Sequence, residues 1–291
     1  MCNASIFIRQ ENKYITKMSD KLIDQEINDF YNETSENDRL LYGLGPLEFE
    51  RNQELITRYL PAQNSVIADI GGGPGIYSQW LANKGHTLHL IDPVAKHIKE
   101  AKKKAAAMQN PFQCLLGESR KIDLPDNSVD LVISHGPLYH LLEKSDRIDS
   151  LREAKRILKP DGIILGFAIN YSASTLVGLI QGLIHDHDFY ELCKQELSTS
   201  IHIAPANMAG MLPSAYYHKP SQLKKEILSA GFNFLELLPV EGIIWLDNKY
   251  FETRSDALRK ANMMSLLRNT ESDTDLLALS PHLMIAAKNK I

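Results

Sequence analysis

The sequence lacks the features that mark membrane-spanning, secreted and nucleic-acid-binding proteins. No apolar run reaches the length of a transmembrane helix, and the N-terminal segment has no signal-peptide core. The formal net charge of -4 gives no general attraction for phosphate backbones or anionic lipids. The three cysteines are far apart and form no CxxC motif, which favours a reduced compartment over a disulfide framework. We therefore expect a cytoplasmic protein with neither a nucleic-acid nor a membrane partner.

Clusters of metal-ligand residues are also scarce. Residues 185–188 read HDHD, but we interpret them as a solvated turn or a helix cap, and we predict no metal site. The N-terminal segment before Met18 is polar and carries no periodic pattern. We expect it to be poorly ordered, and Met18 is an alternative to Met1 as the start of the chain.

From residue 65 onward, apolar segments of strand length alternate with amphipathic segments of helix length. This alternation, with short turns, predicts parallel strands with helices on both faces of the sheet. The segments predicted as strands are SVIADI, TLHLID, FQCLLG, VDLVISH, IILGFAI, FNFLELLPV and HLMIAAK. The fold class is therefore α/β, with a doubly wound, Rossmann-like sheet.

Changes in pattern divide the chain into four parts. Residues 1–60 are expected to form a tail and a two-helix cap, and residues 61–170 the Rossmann-like core. Residues 171–219 interrupt the alternation, and we expect them to form a lid over an acceptor site. Residues 220–291 complete the sheet, with a polar and mostly helical excursion at about 247–279.

The first predicted strand ends in a glycine-rich turn, VIADIGGGPG. Glycines at this place permit a tight turn and a close approach of the backbone to a ligand, next to a helix N-terminus. The dinucleotide fingerprint would need a small residue where this chain has Ile76. The pattern is instead D-x-G-x-G-x-G, in which the carboxylate of Asp69 suits an ammonium group and would repel a pyrophosphate.

Two later turns offer partners for a nucleoside. Asp92 ends the second strand at the spacing expected of a carboxylate that accepts from ribose hydroxyls. The segment GESRKIDLP, after the third strand, offers Glu118 and the backbone of Ser119 to an adenine edge. An ammonium group, a ribose and an adenine are parts of S-adenosylmethionine.

In these segments, and in VDLVISHGPLYHL, LREAKRILKPDGIIL and KPSQLKKEILSAGF, the sequence resembles the class I S-adenosylmethionine-dependent methyltransferases. The resemblance covers residues 62–170 and 218–240. It implies a seven-stranded sheet of order 3-2-1-4-5-7-6 with an antiparallel last strand, S-adenosylmethionine as cofactor and S-adenosylhomocysteine as product. The residues expected at the cofactor are Asp69, Gly71, Gly72, Gly73, Gly75, Asp92, Pro93, Glu118, Ser119, Ser134, His135 and Arg51.

The segment SHGPLYH lies where the transferred methyl group should emerge. The N-P-P-Y type of motif is absent there, which disfavours methylation of nucleobases and amides. The candidates for a general base are His135, Tyr139, Tyr217 and His218, whereas His140 is expected to be a packed neighbour. On the cap, Arg51 and Arg39 are candidates for binding the methionine carboxylate or an acidic acceptor, with surface ion pairs as the alternative.

These observations predict in-line transfer of a methyl group to oxygen, nitrogen or carbon of a small, partly apolar acceptor beneath the lid. A non-catalytic S-adenosylmethionine-binding sensor or scaffold is the first alternative. An NAD-dependent oxidoreductase is the second, and Asp69 and Ile76 disfavour it. A loose similarity to quinone-biosynthesis C-methyltransferases is confined to the cofactor half and does not identify the acceptor. The oligomeric state is left open.

Overall fold

The computed structural model describes residues 22–61 and 64–290. Its strands are β1 (Val66–Ile70), β2 (Thr87–Asp92), β3 (Gln113–Leu116), β4 (Val129–Ser134), β5 (Leu158–Ile169), β6 (Ile201–Ile203), β7 (Ser214–Tyr216), β8 (Asn233–Pro239) and β9 (His282–Lys288). Seven of them form one sheet of order β3-β2-β1-β4-β5-β9-β8, and β6 and β7 form a separate antiparallel hairpin. Strands β1 to β5 pair in parallel, whereas β9 is antiparallel to both of its neighbours.

Counted within the sheet alone, this order is 3-2-1-4-5-7-6 with an antiparallel last strand. The fold class predicted from the sequence is therefore confirmed. The central strands were recognisable because a parallel strand covered on both faces is apolar along its whole length. In β1, four of the five residues are buried.

Helices cover both faces of the sheet. They are α1 (Gln25–Glu33), α2 (Glu36–Arg39), α3 (Gly45–Tyr59), α4 (Ile76–Asn83), α5 (Ala95–Ala106), α6 (Pro137–His140), α7 (Lys144–Ile157), α8 (Ala173–Gln181), α9 (His187–Thr199), α10 (Pro220–Ser229), α11 (Tyr250–Ser255) and α12 (Ala257–Thr270). On one face, Leu55 of α3, Leu81 of α4 and Ile98 of α5 belong to one hydrophobic core. On the other face, Leu151 of α7 and Ile227 of α10 belong to a second core.

The segment predicted as a lid, residues 171–219 and called the lid below, contains α8, α9 and the β6–β7 hairpin. Helix α9 begins where its N-cap, Asp186, accepts hydrogen bonds from the backbone N–H groups of Asp188 and Phe189. The HDHD segment therefore starts a helix, in line with the cap that the sequence suggested. Met208 and Met211 pack beside Phe189 in a cluster of the lid itself.

The cap, residues 22–61, contains α1, α2 and α3 and packs against the chain between β8 and β9. Leu47 of α3 lies in one cluster with Trp245, Met264 and Leu267. Residues 247–279 include α11, α12 and the 3-10 helix Thr274–Leu279. The cap is thus held by a segment near the other end of the chain, and it has no separate core of its own.

No helix in residues 22–61 and 64–290 is both long enough and apolar enough to cross a membrane. The predictions about the polar N-terminal segment and about Met18 fall outside the described residues.

Candidate active site

A cavity of about 970 Å³ opens at the edge of the sheet where the parallel strands end. Ligands of doubly wound folds bind at this edge because the loops after neighbouring strands converge there. The predicted site residues in its wall are Gly71, Gly72, Gly73, Asp92, Pro93, Glu118, Ser119, His135 and Tyr139. The cavity continues past these residues towards the cap and the lid, so one space holds both the predicted cofactor residues and an apolar wall.

The glycine loop, residues 71–75, touches the turn after β4. A Cβ on Gly71 would lie 1.7 Å from the carbonyl oxygen of His135, and the φ of Gly71 is +73°. The N–H of Gly71 donates to the carbonyl of Ile91 at 2.8 Å, which fixes the loop against β2. Only glycine fits this position, because a side chain would push the two loops apart.

Asp92 ties three parts of the site together. Its carboxylate accepts from the backbone N–H of Gly73 at 2.9 Å and of Val94 at 2.9 Å. A ring nitrogen of His97 lies 3.1 Å from the same carboxylate. Asp92 is nearly buried and lines the cavity, so its orientation is fixed before a ligand enters.

Asp69 lies beneath the glycine loop and is absent from the cavity wall. Its Oδ2 accepts from the hydroxyl of Ser78 at 2.7 Å, and it lies 2.7 Å from the position of a Cβ on Gly72. Burial raises the pKa of Asp69 to about 6, despite the hydrogen bond from Ser78. Its Oδ1 is buried and has no hydrogen-bond partner among the described residues. The direct contact with an ammonium group that the sequence suggested is therefore not preformed.

Glu118 and Ser119 lie together in the wall after β3. One oxygen of Glu118 accepts from the backbone N–H of Arg120 at 3.0 Å and from its Nε at 2.8 Å. Arg120 also pairs with Asp146 at 2.9 Å. These contacts use one side of the carboxylate, so the second oxygen of Glu118 is the one that can accept from a ligand.

The cap closes over this half of the cavity through Tyr31. Its hydroxyl lies 2.8 Å from Nε2 of His140, and its ring contacts that of His97 edge-on at 5.0 Å. Burial lowers the pKa of His140 to about 4, so the ring is neutral at physiological pH. His140 thus packs against Tyr31 and also lines the cavity.

Three rings stack in the wall where β4 and β5 end. The ring of His135 lies between Tyr77, at 4.8 Å, and Phe167, at 3.8 Å, with interplanar angles of 10° and 16°. Burial lowers the pKa of His135 to about 3, and both ring nitrogens lack a hydrogen-bond partner among the described residues. A neutral imidazole with unused nitrogens thus lies beside the glycine loop.

The polar cluster, made of Arg39, Glu48, Glu241 and His282, meets the cavity through Arg39, Glu48 and His282. Arg39 binds Glu48 through two hydrogen bonds of 2.7 and 3.0 Å. Nδ1 of His282 lies 2.6 Å from Glu241. Although burial opposes it, Glu241 and Glu48 raise the pKa of His282 to about 9. Burial also opposes ionisation of Glu48, but Arg39 and His282 hold its pKa at about 2.

Donor atoms of Glu48, Glu241 and His282 lie within 4.8 Å of one another, which is close enough to consider a metal ion. Both oxygens of Glu48 are already bound by Arg39. Glu241 accepts from the hydroxyl of Ser280 and from the backbone N–H and Nδ1 of His282. The guanidinium of Arg39, which already pairs with Glu48, disfavours a cation here.

Six predicted site residues are absent from the cavity wall: Asp69, Gly75, Ser134, Arg51, Tyr217 and His218. Arg51 is fully buried and pairs with Glu54 at 2.9 Å and with Glu271, so it is not available to a methionine carboxylate. Gly75 has a φ of +84° and packs against Phe112. Ser134, the last residue of β4, is buried between Ile70 and Gly166. The next residue, His135, is the one that lines the cavity.

Tyr217 and His218 are parts of the protein interior. The ring of Tyr217 stacks on His202 at 4.9 Å, and burial raises its pKa. Nε2 of His218 lies 3.1 Å from Glu226, which also binds Arg147 at 2.8 Å. Both are unsuitable as general bases because neither meets the cavity, and this corrects the sequence prediction.

Sequence reasoning missed Tyr31, Glu48, Phe167 and His282 as wall residues. Glu48 and Tyr31 lie on cap helices whose sequences show only ordinary amphipathic patterns. His282 begins a strand, and only the pairing of β9 with β5 places it opposite Ile169. No short motif marks these positions.

Comparison with known proteins finds similarity to methyltransferases. Residues 68–166 match the methyltransferase domain family. A ubiquinone biosynthesis O-methyltransferase from Paramagnetospirillum magneticum is 27% identical over 125 residues, which are 43% of this chain and 47% of that protein. The chain therefore aligns with about half the length of that curated relative.

Solved structures share the architecture. An S-adenosylmethionine-dependent methyltransferase from Methanosarcina mazei superposes with a TM-score of 0.56 at 18% identity, covering 81% of this chain and 97% of that one. Another from Mesorhizobium loti has a TM-score of 0.51 at 14% identity, covering 83% and 99%. At these identities the similarity shows the fold.

Residues 68–166 thus match a methyltransferase domain family, and the sheet has the fold of the solved S-adenosylmethionine-dependent methyltransferases. The resemblance seen in the sequence is thereby confirmed, and S-adenosylmethionine is the cofactor of this family.

Proposed function

We propose that this protein transfers a methyl group from S-adenosylmethionine to a small, partly apolar acceptor. The observation that supports it is that one continuous cavity is lined by the glycine loop, Asp92 and Glu118 and also by Phe167 and the lid residue Leu212. Bound S-adenosylmethionine would supply an electrophilic methyl group on a positively charged sulfur atom.

The residues of the wall fit the parts of this cofactor. Asp92 has a fixed carboxylate for the ribose hydroxyls, and Glu118 has an unused oxygen for the adenine amino group. Gly71, Gly72 and Gly73 leave room for the methionine chain because they carry no side chain. The orphaned Oδ1 of Asp69 lies close behind this loop and supplies negative potential there.

The apolar wall favours methyl transfer physically. The positive charge on sulfur is lost as the methyl group moves, and a site that excludes water stabilises that dispersed charge relative to the localised one. The stacked rings of Tyr77, His135 and Phe167 form part of such a wall. The lid and the cap hold both reactants in line, which lowers the entropic part of the barrier.

Among the predicted bases, His135 and Tyr139 line the cavity. Burial raises the pKa of Tyr139, so the phenol keeps its proton at neutral pH. His135 is neutral, but its pKa of about 3 makes it a weak proton acceptor, and both of its ring nitrogens are buried. We therefore propose His135 as a wall residue of the methyl-transfer site and not as a general base.

Two measurements test the proposal. Calorimetry should show binding of S-adenosylhomocysteine, and incubation with methyl-labelled S-adenosylmethionine and a library of small acceptors should yield a labelled product. Absence of binding would contradict the assignment. Binding without transfer to any acceptor in the library would favour the alternative, a sensor or scaffold that retains the cofactor site. A cytoplasmic location is part of this proposal.

A further inference from the structure

The two halves of the cavity differ in where their residues come from. The predicted cofactor residues follow β1, β2, β3 and β4, whereas His282 begins β9, on the other side of β5. Neighbouring strands lie about 4.8 Å apart, so the backbone of His282 is about 14 Å from that of β1. The polar cluster therefore belongs to the acceptor half of the cavity.

Within that half, Glu48 and His282 face each other across a gap. A carboxylate oxygen of Glu48 and a ring nitrogen of His282 lie within 4.8 Å, yet no hydrogen bond joins these two described residues directly. One oxygen atom that makes hydrogen bonds of about 2.8 Å to both sides spans about 4.6 Å. A separation of up to 4.8 Å therefore leaves room for a single bridging oxygen.

The partners of the two side chains define what the bridging group must be. Glu241 occupies Nδ1 of His282, so Nε2 is the nitrogen that remains for a ligand. Arg39 binds Glu48 and keeps it ionised, yet each carboxylate oxygen can accept a second hydrogen bond. His282 donates and Glu48 accepts. A ligand group there must accept one hydrogen bond and donate another.

We propose that Glu48 and His282 bind a hydroxyl group of the methyl acceptor, which donates to Glu48 and accepts from Nε2 of His282. This inference rests on the proposed function and names the substrate class of the same site. A carboxylate would be repelled by Glu48, and an ammonium group would be repelled by His282 and Arg39. The neutral hydroxyl satisfies both sides, and the apolar neighbours Phe167, Ile169 and Leu212 fit the carbon skeleton that carries it.

The hydroxyl probe is phenol, tested against protein saturated with S-adenosylhomocysteine. Toluene, benzoate and benzylamine are matched to it in size but replace the hydroxyl by a methyl group, an anion and a cation. We expect phenol to shift the ring nitrogen resonances of His282 in an NMR titration of the wild-type protein. We also expect phenol to bind about tenfold more tightly than benzoate or benzylamine, since each of these meets a like charge.

Two variants localise the effect. His282→Asn keeps a donor for Glu241 but removes Nε2, and Glu48→Gln removes the charged acceptor. Both should weaken phenol binding about tenfold and leave the affinity for S-adenosylhomocysteine unchanged. Glu50→Gln is the matched control, because Glu50 lies on the same helix but pairs with Lys260 outside the cavity.

The outcomes separate this inference from the proposed function. Loss of S-adenosylhomocysteine binding in His282→Asn or Glu48→Gln would overturn the inference, because the cluster would then serve the cofactor. Tighter binding of benzoate or benzylamine than of phenol would overturn it as well, and so would unchanged His282 resonances with phenol. Failure of the wild-type protein to bind S-adenosylhomocysteine would instead overturn the proposed function. If a variant does not fold, the wild-type titration still decides.

Discussion

Asp92 has its carboxylate held from three sides before any ligand arrives, by Gly73, Val94 and His97. A group oriented in this way binds a ribose without a further cost of ordering its side chain. The same contacts also fix the glycine loop relative to α5. A change at this one residue therefore acts on both the ligand and the loop.

Asp92→Asn should weaken binding of S-adenosylhomocysteine about tenfold, because hydrogen bonds to a charged acceptor are worth about 1.5–3 kcal/mol and the amide keeps one oxygen. Calorimetry measures this. The control is Asp130→Asn, since Asp130 also accepts from a backbone N–H, that of Val66, but lies at the start of β4. Equal losses in both variants would contradict the role of Asp92.

Asp69→Asn should stabilise the ligand-free protein above pH 6. The pKa of Asp69 is raised in the folded state, so its favourable contribution is full below the unfolded value near 4 and is lost as pH rises through about 6. The variant escapes this loss and keeps a partner for Ser78. We expect a gain of about 2 kcal/mol at pH 8 and less at pH 5, measured by urea unfolding.

A difference in stability that does not depend on pH would contradict that account. The same variant addresses the predicted contact with the ammonium group. If the negative charge beneath the loop attracts that group, Asp69→Asn binds S-adenosylhomocysteine more weakly while it unfolds less easily. Ser78→Ala is the companion variant, because it removes the hydrogen bond and keeps the charge.

At the scale of elements, the glycine loop joins β1 to α4 and forms part of the ligand surface. Gly73 has a φ of +55°, and a Cβ there would meet no atom within 4 Å. Gly85, after α4, has a φ of +93° and the same empty surroundings. Both positions need a positive φ, but of the two only Gly73 lines the cavity.

Gly73→Ala and Gly85→Ala should each cost about 1–2 kcal/mol of stability, which is the strain of a left-handed backbone with a side chain. Only Gly73→Ala should also weaken S-adenosylhomocysteine binding, because its methyl group projects into the ligand space. Thermal unfolding and calorimetry on both variants measure the two effects. Retained binding in Gly73→Ala would show that the methionine part lies elsewhere.

The lid and the cap illustrate which elements a sequence reveals. The capping residue Asp186 indicated the start of helix α9, and Pro220 in the first turn indicated the start of α10. Met208 and Met211 of the predicted lid pack against α9. Apolar residues on a short insertion can face either its own helices or a ligand, and local sequence does not distinguish the two.

At the scale of the whole molecule, the strands were predictable from apolar segments and short turns, whereas their order was implied by the family resemblance. Gly71, Asp92 and Glu118, which we predicted to contact the cofactor, could be selected for a related reason: each ends a strand or follows one within two residues. Glu48 and His282 could not be selected, because Glu48 comes from the cap and His282 from the last strand, at opposite ends of the described chain. Their proximity arises from the packing of the cap and the pairing of β9.

Arg51 is a second residue whose contacts in the fold could not be predicted from the local sequence. Its charge and its place on the cap suggested a cofactor contact, but the fold buries it between Glu54 and Glu271. Glu271 also binds Arg58 at 2.8 Å. These ion pairs attach α3 to the segment that follows α12, so Arg51 holds the cap onto the rest of the protein.

Arg51→Met should therefore destabilise the protein by about 1–3 kcal/mol, since it removes the charged hydrogen bonds of Arg51 while Glu54 and Glu271 keep Arg58 as a partner. The affinity for S-adenosylhomocysteine should not change. Arg152→Met is the control, because Arg152 pairs with Asp149 on the surface and such pairs contribute little. A variant with normal stability and weakened cofactor binding would restore the sequence-based interpretation.

The antiparallel direction of β9 has a consequence for the order in which the protein folds during its synthesis. A strand that runs against its neighbours begins at the edge where they finish, so His282 reaches the cavity only by the insertion of β9 between β5 and β8. A chain growing on the ribosome can fold its nucleotide half early, yet it has no complete substrate chamber until its ninth strand emerges. Competence for binding the cofactor and competence for catalysis would then appear at different moments of biosynthesis.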